Sequence, residues 1–187
     1  MNRIHHWYCR SSAWRRRVRT ELLPWALDGA VMEVPALEIG PGPGITTDYL
    51  KTKVRSLTVL ERDPVLAEKL HQRLRGTDVR VIEGDATAMP FENGAFRTVF
   101  CFTVLHHVPT SSLQDRVLAE ALRVLARGGL FVGTDSRMSF RMKVFHWFDT
   151  MVIVDPETFP ARLRGVGFAS ADIELSADAF RFCAARQ

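Results

Sequence analysis

The stretch at residues 37–50, "LEIGPGPGITTDYL", decides how the rest of the chain is read. Glycine stands at 40, 42 and 44, with prolines between, directly after a short apolar run. A helix interior cannot carry that pattern, because each glycine there costs about 1 kcal/mol relative to alanine. A strand gains no side-chain packing from it. The spacing fits a turn whose main chain must come close to something else.

From residue 36 onward, short β-branched runs alternate with helical patterns. "ALEIG", "SLTVLE", "VRVIEGD", "RTVFCFTVL" and "LFVGTD" read as five strands. Between them lie a helical stretch at 46–51 and "PVLAEKLHQRLR", where Val65, Leu66, Leu70 and Leu74 share a face. The clearest helix is "TSSLQDRVLAEALRVLARGG". Its Ser111 and Gln114 have capping-box spacing, and Leu113, Val117, Leu118, Ala121, Leu122 and Leu125 form a stripe to be buried. Gly128 and Gly129 are the expected stop. Beyond Asp135, "PETFPARLRGVGF" predicts a helix ended by glycine, then "ASADIEL" and "AFRFCAA" two closing strands. Strands alternating with helices imply a doubly wound, mostly parallel α/β sheet with helices on both faces. At 187 residues, without linker or repeat, the expectation is one domain with a full core.

The 47% hydrophobic and 25% charged content is that of an ordinary soluble domain. The net charge of +4 is concentrated in "WRRRVR", with Arg15, Arg16, Arg17 and Arg19. Cys9, Cys101 and Cys183 stand far apart, with no Cys/His spacing suited to zinc, so reduced thiols and no metal are expected. No run nears the 18 or so apolar residues of a membrane span, and the N-terminus lacks a signal peptide's apolar stretch. The expected setting is cytoplasmic.

In a doubly wound sheet, ligands bind beyond the carboxyl ends of the strands, where strand order reverses. Gly40, Gly42 and Gly44 would bring bare backbone to a nucleotide-like ligand there. The dinucleotide fingerprint G-x-G-x-x-G fails, since its last position falls on Ile45 or Thr47. No G-x-x-x-x-G-K-[ST] exists. Glu38, beside the turn, would repel a pyrophosphate but suits a cationic ligand. Glu61 ends the second strand, where a carboxylate can accept from both ribose hydroxyls. Asp85, at the third strand's end, can accept from an exocyclic amine.

Together these residues resemble the class I S-adenosylmethionine-dependent methyltransferases, of the small "type 11" or ubiquinone-biosynthesis-like kind. "LEIGPGPG" is similar to that family's first motif, E/D-x-G-x-G-x-G, "LTVLERD" to its second and "VIEGDATAMPF" to its third. "FRTVFCFTVLHHV" and "RVLARGGLFVGTD" resemble the fourth and fifth, in the usual order, so the likeness spans about residues 36–135. It implies a seven-stranded sheet with its last strand antiparallel, supplied by "AFRFCAARQ". It implies S-adenosylmethionine as cofactor and S-adenosylhomocysteine as product. Glu38, with backbone around Gly40, Pro41, Gly42 and Gly44, would hold the methionine part, and Glu61 the ribose hydroxyls. Arg62 would lie beside the adenine, where its planar guanidinium could stack. Asp85 would accept from the adenine amino group, the Ala86 amide would meet a ring nitrogen, and backbone at Phe102 and Thr103 would border the sulfonium. The chain departs from the family where Arg97 follows Phe96 in place of aspartate, and where Arg62 replaces a commonly apolar residue.

His106 and His107, just past the fourth strand, are candidate general bases should the acceptor arrive protonated. His146 and Asp149 in "VFHWFDT" form a weaker pair, and His5 and His6 beside Trp7 are expected to be uninvolved. Trp7, Trp14, Val18, Leu22 and Trp25 recur at helical spacing among arginines, with Pro24 expected to bend or end that helix. Residues 1–30 thus read as a helical lid, 36–135 as the cofactor-binding core, and 136–187 as the acceptor side with the closing strands. With "MKVFHWF", the aromatic lid points to a small apolar or aromatic methyl acceptor. Two other readings are a lipid head-group methyltransferase touching membrane through residues 1–25, and a catalytically silent binding module. Nucleic acid is not expected, since no recognition module accompanies the arginines.

Overall fold

Apolar runs too short for helices and rich in β-branched residues pair into one sheet at the centre of the molecule. The computed structural model describes residues 11–137 and 151–187. His5, His6, Trp7, His146, Asp149 and "MKVFHWF" lie outside the described residues. The strands are β1 (Ala36–Ile39), β2 (Leu57–Glu61), β3 (Val79–Glu83), β4 (Phe96–Phe102), β5 (Leu125–Ser136), β6 (Ser170–Leu175) and β7 (Ala179–Ala185). Their spatial order is β3-β2-β1-β4-β5-β7-β6, and β7 runs antiparallel to both its neighbours. The doubly wound sheet with an antiparallel last strand is therefore the observed one. Strand order reverses at β1, between β2 and β4, so the crevice above β1 is where such sheets bind ligands.

Alternation along β4 shows how one sheet serves two cores. Val99 and Cys101 face one side, with the buried residues of α5 (Ser111–Val124) and α6 (Phe159–Val166). Phe100 and Phe102 face the other, with α3 (Ile45–Leu50) and the N-terminal helix. That helix has three parts: α1 (Ser12–Arg17), a π turn (Val18–Leu22) and α2 (Leu23–Ala26). Pro24 does not end it. The Leu23 amide reaches back five residues to the Val18 carbonyl, and the widened turn admits the proline ring that a regular turn would reject.

Three helical expectations change. The cap of α5 is Thr110, whose hydroxyl accepts from the Leu113 amide, while Gln114 is buried and donates to the carbonyls of Leu105 and Val152. Gly128 and Gly129 do not stop α5; it ends at Val124, and the glycines fall in a bulge between the pairs Phe96–Leu125 and Thr98–Leu130. Val65 is exposed at the first turn of α4 (Pro64–Arg73), whereas Leu70 and Leu74 of the expected face are buried, together with Ala67.

Of the glycines, Gly133, paired with Cys101 across β4 and β5, leaves the least room for a side chain. A Cβ there would collide with the Cys101 carbonyl oxygen and the Phe182 ring. In α6, a Cβ at Gly165 would meet nothing within 4 Å. Gly133→Ala is therefore expected to lower urea-measured stability by about 1–3 kcal/mol. Gly165→Ala should raise it by about 0.4–1 kcal/mol. Equal effects at the two positions would contradict the packing described.

Candidate functional site

The glycine turn is built by contacts on every side. The chain leaves β1 through Gly40, whose amide donates to the Leu60 carbonyl at 2.9 Å. With φ at +62° and a would-be Cβ 2.8 Å from Val104, only glycine lets the loops after β1 and β4 touch. Gly42, at φ +55°, has nothing within 4 Å of its would-be Cβ, so bare main chain faces open space. Its amide donates to Glu61 Oε2 at 2.9 Å, while Glu61 Oε1 accepts from the Asp63 amide at 2.9 Å. Arg73 of α4 grips the far side of the turn, donating to the Pro43 and Gly44 carbonyls and pairing with Asp48 at 2.7 Å.

Asp85 follows β3. Its Oδ1 accepts from the Thr87 amide and hydroxyl, each at 2.8 Å, and Oδ2 lies 3.4 Å from Arg62 Nε. Those contacts, the Thr87 amide foremost, hold its carboxyl below the ordinary range. Arg62 is thereby drawn toward Asp85 at the crevice edge.

After β4, Thr103 takes φ +57°, the sole positive value of a non-glycine among the described residues. Its amide donates to the Thr134 carbonyl at 2.8 Å. A β-branched residue in that region is strained, and strain of this kind gathers at functional sites. A single 3₁₀ turn, Leu105–His107, then presents both histidines. His106 is buried, its Nδ1 2.5 Å from Oδ1 of the fully buried Asp135 at the end of β5. The His107 ring packs on that of His106, centroids 4.1 Å apart.

These loops enclose a cavity of about 890 Å³. The N-terminal helix covers it with Trp14, Arg17, Val18 and Leu22, and Arg17 donates across its mouth to Asp178 at 2.6 Å. Within the described residues, every site residue read from the sequence lines the cavity except Glu38 and Gly44. Glu38 lies behind the turn, accepting from the hydroxyls of Thr46 and Thr47, the latter at 2.7 Å. Arg97 is far from the crevice, at the start of β4, paired with Glu33. The sequence reading gave no site role to Asp135 or Asp178, and placed Arg17 only in the basic cluster of the N-terminal helix. For Asp135 a signal existed: it ends the fifth strand as Glu61 ends the second.

Among known proteins, the family model described as "Methyltransferase domain" matches residues 37–133, just over half of the chain. The chain belongs to this methyltransferase family. A demethylmenaquinone methyltransferase from Thermus thermophilus is 34% identical over 125 residues, 64% of this chain and 52% of that protein. A chloroplastic 2-methyl-6-phytyl-1,4-hydroquinone methyltransferase from Oryza sativa is 30% identical over 96 residues, 50% of this chain and 28% of that one. The methyltransferase chain thus spans about half the length, or less, of these curated relatives. An S-adenosylmethionine-dependent methyltransferase structure from Thermotoga maritima superposes with a TM-score of 0.77 at 22% identity, covering 97% of this chain and 95% of its own. The class I fold that the motif order implied is the one observed. No helix among the described residues is long and apolar enough to cross a membrane.

Burial gives the methyltransferase domain a pH signature. It raises the Glu38 carboxyl from 4.5 to about 7 despite the two threonine hydroxyls. The folded state therefore binds this proton more tightly than the unfolded chain. The stability from this group is fully present below pH 4.5 and is lost as pH rises through about 7. Urea denaturation at pH 4.5 and 8 should show wild type losing up to about 3 kcal/mol more than Glu38→Gln over that interval. Parallel profiles for the two proteins would contradict it.

Proposed function

We propose that this domain binds S-adenosylmethionine in the crevice above β1 and transfers its methyl group to a small apolar or aromatic acceptor. The observation that carries the reading is Glu61: a carboxylate at a strand tip, on the cavity wall, beside the bare main chain of Gly42. Each Glu61 oxygen accepts one amide and keeps capacity for a further donor, which is what a vicinal diol requires. Asp85 keeps acceptor capacity for an exocyclic amine, and the missing side chain at Gly42 leaves room for a chain to pass. A volume of about 890 Å³ lies within the range of small-molecule sites and leaves space for an acceptor beside an adenosine-sized ligand. These features fit the cofactor.

When bound, S-adenosylmethionine supplies an electrophilic methyl carbon on a sulfonium whose sulfur departs with the C–S electron pair. The rest is the chain's own work. The turn at Gly40–Gly44 and the strained Thr103 backbone fix the position of the reacting end, and positioning of that kind can be worth roughly 7–11 kcal/mol. Val18 and Leu22 exclude water as part of an N-terminal helical lid. The apolar acceptor is supported by the cavity's Trp14, Val108 and Leu113, and by the quinone and hydroquinone named for two relatives.

Titration calorimetry tests this. Micromolar binding of S-adenosylmethionine and S-adenosylhomocysteine is expected, with none of NAD. Glu61→Ala should weaken binding by about 1.5–3 kcal/mol, as for a lost hydrogen bond to a charged group. Unchanged affinity in that variant would remove the ribose assignment.

A further inference from the structure

We propose that the outer face of the N-terminal helix docks on an anionic lipid bilayer, which sets the cavity mouth at the membrane surface. This goes beyond the methyl-transfer reading and rests on it only for the apolar character of the acceptor. Arg15, Arg16 and Arg19 are exposed, while Val18, Leu22 and Leu23 of the same helix are buried in the core beneath it. Among the described residues, none of the three arginines forms an ion pair. Glu21, the sole acidic residue between 11 and 26, lies 3.9 Å from Arg17, which Asp178 also holds at 2.6 Å. Arg15 and Arg19 are four apart, the spacing at which like charges destabilise a helix. An anionic surface removes that cost. Packed against the π turn, α3 extends the basic face with the exposed Lys53.

The cations and the entrance share one surface. Arg15 and Arg16 directly precede Arg17, whose guanidinium reaches across the cavity mouth to Asp178. An acceptor apolar enough for this cavity leaves water for a bilayer, so docking places the entrance against the phase that holds it. Guanidinium groups match the phosphates of lipid head groups, and each cation near such a surface strengthens partition about fivefold. The apolar side of the helix is already covered by the protein. The contact is therefore one of charge without insertion, and salt screens it.

A bilayer suits this face better than single-stranded nucleic acid, which is held by aromatic platforms set among the cations. The two tryptophans of the helix are engaged elsewhere: Trp14 lines the cavity, and Trp25 donates to Glu174 beneath the Arg181 guanidinium.

Flotation of the full chain with lipid vesicles, with no nucleoside added, tests this. Vesicles of phosphatidylcholine with one-third phosphatidylglycerol should carry the protein at about 0.1 M salt and release it at about 1 M, as the screening length falls from about 10 to about 3 Å. Vesicles of phosphatidylcholine alone should not carry it. Arg15→Gln, Arg16→Gln and Arg19→Gln should each lower the partition coefficient about fivefold, and the triple variant about a hundredfold. Arg164→Gln removes the same charge from the exposed side of α6, across the sheet, and should change it less than twofold. An RNA oligonucleotide at equal phosphate concentration should not displace the protein from the anionic vesicles. Equal losses in Arg164→Gln and Arg15→Gln would overturn the docking face. Flotation that ignores phosphatidylglycerol, or displacement by RNA, would overturn the anionic bilayer as partner. If the triple variant fails to fold, the single variants and the lipid and salt series still decide. Failure to bind S-adenosylhomocysteine would sink the methyl-transfer reading alone, because flotation is read without it; failure to float with that binding intact would sink the docking alone.

Discussion

The carboxylate of Glu61 is the point on which the site depends. It accepts from the Gly42 amide with one oxygen and from the Asp63 amide with the other, and its own carbonyl accepts from the Gly84 amide. One residue at the tip of β2 therefore ties the loops after β1, β2 and β3 into a single rim. Each glycine of the turn loses more conformational freedom on folding than any other residue would, and only the prolines between them limit that freedom in advance. Arg73 and Val104 hold the turn from below and behind, but Glu61 holds the face that looks into the cavity. In the function proposed above, the same carboxylate that orders the turn also takes the ribose hydroxyls, which would couple ligand binding to loop order.

The far wall is built by a different device. β7 runs antiparallel beside β5 and turns back into β6, and this hairpin anchors the N-terminal helix. Trp25 Nε1 donates to Glu174 at 2.7 Å, and Arg181 reaches the carbonyls of Trp25 and Asp28 while its guanidinium lies over the Trp25 ring. The buried Val18, Leu22 and Leu23 seat the helix on the sheet face. Surface ion pairs contribute little by themselves, so the apolar contact holds the helix while Arg17 and Asp178 set its register over the cavity.

Much of this was legible in the sequence, because the signals that carry it are local. The five apolar runs of the core had nothing else to be but strands, and the glycines at 40, 42 and 44 admitted only a turn. What escaped depends on partners distant in the chain. Gln114 has the spacing of a cap, yet its amide is claimed by Leu105 and Val152, one of them 38 residues on. Asp135 acquires meaning only when β5 lies beside β4, which brings it to His106, 29 residues earlier. Pro24 breaks a regular helix, but not one with a π turn before it. Glu38 was expected to hold the methionine part of a ligand; the hydroxyls of Thr46 and Thr47, eight and nine residues on, donate to its two oxygens, and it stands outside the cavity lining.

A crystal structure of the chain soaked with S-adenosylhomocysteine tests the central claim most directly. The account predicts ribose hydroxyls within hydrogen-bond distance of both Glu61 oxygens, with the thioether chain running past Gly42. Density for the compound elsewhere, with the Glu61 rim unchanged, would contradict it.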